Sequence, residues 1–259
     1  MRRARSAKVE HVTDPRIHER RVRVAREKGR RRRRWLLAGL TALAAGGGAL
    51  ALVHSSLLGA RHVEISGQPH APYATVVRVA GLEGAPPLVD LSAQVIAARV
   101  ESLPWVKTAR VSLSWPSTVR IAVTDRTPVA AIPLPGGGYA VADATGRVLE
   151  DTAARPLTLP LVMAGGAVPA PGGRLDGPSA ELARVAALTP EAMVAEISSI
   201  AWGSGGIVVR LAGGRTAVLG DDSALGDKFV ALYTVLEKAN LSGIVTIDLR
   251  VPSAPVLIR

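Results

Sequence analysis

Two adjacent acid pairs, Asp221-Asp222 and Glu150-Asp151, are the places where carboxylates stand side by side for general acid–base work. Asp221 or Asp222 precedes an apolar helical repeat and reads as a helix cap, and Glu150-Asp151 reads as a turn, so neither pair requires catalysis to explain it. The chain has no cysteine, which removes thiol nucleophiles, zinc-cysteine sites and disulfides. Its five histidines, His11, His18, His54, His62 and His70, all fall in the first 70 residues, leaving the rest without an imidazole base or a histidine ligand. "WGSGG" (202–206) sets Ser204 among glycines, without the following helix and histidine partner of a nucleophile elbow. "GSGG" (203–206) and "AGG" (212–214) join strands and lack the helix and lysine of a phosphate loop. No catalytic residue, cofactor or metal is expected, and the segments between these residues read as elements built for something other than chemistry.

The 259 residues are 48% hydrophobic, enough for one large or two small folded domains. The net charge of +11 raises nucleic acid as a partner, but its position argues otherwise. Residues 1–34 hold 15 Lys and Arg against Glu10, Asp14, Glu19 and Glu27, which accounts for the whole excess, and the remainder is neutral. With one Phe, three Tyr and four Trp there is little to stack bases on, and no nucleic-acid binding is expected. The tail, 1–34, reads as solvated and disordered, held near anionic headgroups.

"WLLAGLTALAAGGGALALV" (35–53) follows the arginine cluster and carries no charge over 19 residues. At about 1.5 Å per residue it spans a hydrocarbon core of about 30 Å. The positive-inside rule puts the N-terminus in the cytoplasm and residues after about 55 outside, with Trp35 as an interfacial anchor. A cleaved signal peptide fits less well, because the preceding basic region is too long and the apolar core exceeds the usual 7 to 15 residues. A transmembrane helix is assigned to 35–55.

Beyond it, "RHVEISG" (61–67) reads as a strand, and "PYATVVRVAGL" (72–82) as a helix with Pro72 in its first turn and Val76, Val79 and Ala80 on one face. A second helix has Ser92 as its N-cap, Val95, Ile96, Arg99 and Val100 in a 3,4 pattern, and Pro104 as its stop. Val106, Ala109, Val111, Leu113 and Trp115 make a strand with a bulge near Thr108, and Pro116 ends it. Val119, Ile121 and Val123 line one face of the next strand, which pairs back through "WPST". Two helices on one face of a three-stranded sheet result.

That order of elements, with "LPWVKTARVSLSWPSTVRIAVTDRTPVA" (103–130), resembles the POTRA domain of the bacterial cell-division FtsQ/DivIB family. Trp105-Val106 opens the second strand, Trp115-Pro116 makes the hairpin turn, and Asp125 followed by Pro128-Val129-Ala130 leaves the third, with Asp125 where the family more often has Glu. The two tryptophans are read chiefly as core and turn packing, with a recognition surface as the alternative.

The remainder, 128–259, reads as a hairpin over 136–150, a short strand in "LPLVMAGG", a helix in "SAELARVAAL", and three strands in "EISSIAW", "GIVVRLA" and "RTAVLG". A stronger helix follows, with Leu225, Phe229, Leu232, Val235 and Leu236 on one face, then a strand in "GIVTIDLR" and an edge strand in "APVLIR". This order resembles the β domain of the same family. The fold class expected is α+β: a single transmembrane helix, a POTRA domain (61–127, βααββ) and a mainly β C-terminal domain (128–259) with two helices.

The resemblance implies a non-catalytic, single-pass scaffold of the division machinery in the cell membrane at the division septum, binding the small bitopic proteins FtsB and FtsL and other division proteins. Strand addition at "APVLIR" is the expected mode, limited by Pro252 and Pro255, which cannot donate to a ladder. By position, Arg250 matches a family contact arginine and Ser253 another contact, with Val256, Leu257 and Ile258 on the edge and Val251 where the family carries an aromatic. A membrane-anchored POTRA chaperone for exported polypeptides and a cell-wall hydrolase are the alternatives. A single module without barrel-length strands weighs against the first, and the second depends on Asp221 and Asp222 acting as more than a cap.

Overall fold

The computed structural model describes residues 34–51, 54–55, 58–67 and 69–259; the tail read over 1–34 lies, but for Arg34, outside the described residues. The chain divides into two units, Met1–Gly59 and Ala60–Arg259. In the first, helix α1 (Arg34–Ala51) is long and apolar enough to cross a membrane, and its side chains are exposed throughout. His54 follows in a turn, its N–H on the Leu50 carbonyl at 3.1 Å.

The second unit begins with β1 (His62–Ser66), α2 (Tyr73–Ala80), α3 (Ala93–Glu101), β2 (Val106–Ser114) and β3 (Thr118–Asp125). β3 is central, parallel to β1 and antiparallel to β2, and the two helices form the crossover that a parallel pair requires. Val119, Ile121 and Val123 pack against Val76, Ala80, Ile96 and Val100. Pro72 stands at the N-cap of α2 rather than inside its first turn, and Gly81, in the left-handed region, closes the helix with its N–H on the Arg78 carbonyl. Ser92 occupies the N-cap of α3 but its side chain makes no capping bond, and Val95 is exposed, so the buried stripe of α3 is narrower than the 3,4 pattern suggested. The β2 register shifts between Val106 and Thr108, where the bulge was expected. Nearby, the Ala109 N–H donates to the Glu101 carboxylate at 2.9 Å. Gly67 turns the chain out of β1 at φ +95°, where a Cβ would lie 1.9 Å from the Val123 carbonyl oxygen.

β4 (Pro128–Pro133), β5 (Tyr139–Asp143) and β6 (Val148–Thr152) form a second antiparallel sheet. The expected hairpin is β5–β6; β4 went unread because two prolines bracket a short run of small residues that lacks alternation. Arg126, between β3 and β4, ties the two parts together. Its Nε donates to the Val106 carbonyl at 3.0 Å and its Nη1 to Asp143 Oδ2 at 2.7 Å. The other Asp143 oxygen accepts from the Thr145 N–H, the Thr145 hydroxyl and the Arg147 N–H at 2.7 to 2.9 Å, which shapes the β5–β6 turn. Arg147 reaches back to the Ser102 carbonyl at 3.0 Å, and His70 stacks on Trp105 with centroids 4.0 Å apart while standing 3.5 Å from Glu150.

α4 (Gly177–Ala187) and the single turn α5 (Glu191–Val194) lead into β7 (Ile197–Gly203), β8 (Gly206–Leu211) and β9 (Thr216–Gly220). α6 (Leu225–Lys238), β10 (Thr246–Asp248) and β11 (Val256–Ile258) complete the chain. The strand order is β11-β10-β9-β8-β7, with β10 parallel to β9 and antiparallel to β11. "LPLVMAGG" is not a strand of its own; Leu161 bridges to Ala131 of β4 and Val162 to Ile200 of β7, stitching the two sheets into one eight-stranded surface. α4 and α6 bury Leu182, Ala183, Phe229 and Leu232 in one core with Ile132, Ala142, Ile200, Val209, Leu219 and Ile247.

Burial raises the pKa of Asp143, but the bonds from Thr145, Arg126 and Arg147 outweigh it and hold the carboxyl below its ordinary value. Removing it strands a largely buried guanidinium, so Asp143→Ala is expected to lower the unfolding free energy by about 3 kcal/mol in urea titrations at neutral pH. A loss below 1 kcal/mol would refute the tie.

Candidate functional site

Neither acid pair stands where the sequence suggested. Asp221 does not cap α6; that position is Ala224, at φ +49° and without a side-chain bond. Asp221 Oδ1 instead accepts from the Ser223 hydroxyl at 2.6 Å and from Lys228 Nζ at 2.7 Å, and its carbonyl accepts from Lys228 at 3.0 Å. Lys228 is 1% exposed and lies in the first helical turn, where the helix dipole disfavours a cation, so the carboxylate offsets both penalties. The Lys228 bond, then those from Ser223, bring the Asp221 pKa down to about 2. Glu150 and Asp151 lie in strand β6 rather than a turn. Ser204 sits in the β7–β8 turn, where Gly203 pairs with Gly206. Among the described residues no group of His, Asp and Glu could hold a metal ion.

What distinguishes the surface is its two sheet ends. With β4 and β7 stitched together, the free margins are β6 and β11. Along β6, residues 172–174 cover the start through backbone bonds to Val148 and a bridge at Arg147, and Glu150 and Asp151 follow. Charge and cover of this kind deter strand pairing. β11 has neither: Val256, Leu257 and Ile258 are 55%, 37% and 47% exposed, and no strand pairs with their outer side among the described residues. On the inner side Leu257 faces Ile247, and the Ile258 carbonyl accepts from the Val245 N–H at 2.9 Å.

Arg250 and Ser253 lie in the loop before this strand but face different depressions. Arg250 folds back on Asp248, its Nε 3.0 and 3.1 Å from the two carboxylate oxygens and its own N–H 3.0 Å from Oδ1. This fork holds the Asp248 carboxyl below its ordinary pKa and raises that of Arg250. Arg250 borders a depression with Trp202, Glu181, Asp222 and Gly220, where a Cβ on Gly220 would meet Arg250 Cγ at 2.8 Å. Ser253 borders a groove between the loop and α6, with Pro252, Pro255, Asp227, Val230 and Thr234. Val230 was missed in the sequence; an apolar residue lying off the buried stripe of α6 was the signal.

The FtsQ-type POTRA domain model matches residues 58–126, and the cell division protein FtsQ/DivIB C-terminal model matches 130–250, a stretch that ends before Ser253 and β11. A cell division protein FtsQ of Mycolicibacterium smegmatis is 31% identical over 80% of this chain and 60% of its own length. One from Streptomyces collinus is 32% identical over 89% of this chain and 90% of its own. The chain thus spans less than two thirds of the first relative and nearly all of the second. The extracytoplasmic domain of DivIB from Geobacillus stearothermophilus is similar to 45% of this chain and 98% of its own at 18% identity, with a TM-score of 0.32.

Because the Asp221 pKa is depressed in the folded chain, its contribution is complete above the ordinary value of 3.8 and lost as pH falls through about 2. Asp221→Asn is therefore expected to destabilise the protein at pH 7 and to lose that penalty near pH 2, measured as urea midpoints across the range. An equal penalty at both ends would show that the ion pair is not its source.

Proposed function

The chain belongs to the FtsQ/DivIB family of bacterial cell-division proteins, and on that premise we propose that it is a non-catalytic membrane scaffold that captures FtsB, and with it FtsL, at its outer part. The unguarded margin at β11 carries this reading. Three exposed apolar residues offer an open backbone ladder, while the far margin of the adjoining sheet, at β6, is covered and charged. An extended partner segment adds to such an edge through main-chain hydrogen bonds, and side chains choose among partners. Pro252 and Pro255 confine the added ladder to the last few residues.

The partition that accompanies this reading is a cytoplasmic tail (1–34), an anchor (35–55), a POTRA domain (61–127) and a β domain (128–259). The anchor places the N-terminus in the cytoplasm and the folded part outside, at the septum, as the arginine cluster before α1 supports. Arg250 contributes through the short loop whose shape its fork on Asp248 fixes, and Ser253 through the groove beside α6.

Residues 61–259, titrated with the outside segment of the FtsB from the same organism, are expected to bind saturably. A fragment ending at Leu249 should retain its fold and lose binding, and Arg250→Glu should weaken binding about tenfold through a faster off-rate. Undiminished binding by the folded truncated fragment would remove β11 from the site.

A further inference from the structure

The end of the first sheet through which the chain enters carries apolar groups that the core does not use. The His62 N–H donates to the Ser117 carbonyl at 3.1 Å and β1 runs parallel to β3 from His62 opposite Thr118, so the β2–β3 turn stands at that end. On this turn Trp115 is 57% exposed, so it belongs to the turn and not to the core. The Ala60 N–H donates to the Pro86 carbonyl at 2.9 Å, bringing residues 86–90 to the same end with Val89 44% exposed. Arg61 and His62 are exposed beside them.

We propose that this end, tipped by Trp115 and Val89, docks on the outer headgroup layer of the membrane. The inference rests on reading α1 as a membrane anchor. Eleven residues lead from Ala51 to His62, a backbone reach of at most about 40 Å. One exposed indole and one aliphatic residue form too small a patch for a stable protein interface. They suit the interfacial zone, where tryptophan sits at headgroup level. The chain leaves β3 toward the second sheet system from the opposite end, through Arg126.

The absence of cysteine makes single labels unique. The full chain is reconstituted in phosphatidylethanolamine–phosphatidylglycerol vesicles containing a lipid with a nitroxide near the headgroup. A fluorophore is attached at Val89→Cys, at Leu157→Cys on an exposed loop of the second sheet system, or at Leu50→Cys near the outer end of α1. Quenching is expected at Val89 and Leu50 and not at Leu157, and Trp115→Ala should cut the Val89 quenching at least about twofold, as loss of an interfacial anchor implies. Quenching at Leu50 with Val89 no more quenched than Leu157 overturns the docking and leaves the anchor standing. An unquenched Leu50 overturns the anchor and the docking together, and a Val89 signal unmoved by Trp115→Ala removes the tryptophan from the contact.

Discussion

One carboxylate ties the first sheet of the second unit to the strands that follow it. Asp143 takes the Arg126 guanidinium on one oxygen and shapes the β5–β6 turn with the other, so its loss loosens a hairpin and a joint at once. Arg126 in turn satisfies the carbonyl of Val106, beside the shift in β2 register. The buried pair gains little against water as a free charge pair, and its value lies in specifying one arrangement of two sheet systems. Arg147 on Ser102 and the His70–Trp105 stack repeat the same connection at the margins.

Asp221 holds the buried Lys228 and Asp143 serves both a turn and a joint, so these two carboxylates act on shape. What the second unit exposes is backbone at one sheet end and a few apolar tips. β10 pairs parallel with β9 and antiparallel with β11, so β11 rests on a strand whose Ile247 is fully buried.

Much of this was legible where apolar periodicity and breakers agreed. Val119, Ile121 and Val123 alternate cleanly and are buried, and Leu225, Phe229 and Leu232 keep helical spacing and are buried. Reading failed where long-range contacts decide the role. Nothing near Asp221 says that Lys228, seven residues on, will be buried and will claim its carboxylate. β4 exists because β5 pairs with it, and 161–162 is extended because two sheets need a seam. Arg250 and Ser253, three residues apart, look like one contact set in the sequence and face separate depressions, since the chain turns between them. The edge itself was readable from composition, yet its contrast with β6 required the topology.

An open ladder of Val256, Leu257 and Ile258 does not discriminate by itself between a partner's strand and the same strand of a second copy. Supply therefore matters as much as affinity. Chains made in excess of whatever covers β11 carry an adhesive margin into a crowded compartment, and the two prolines that shorten it hold that liability to three residues. For a chain with such an edge, matched supply of whatever covers it limits self-association.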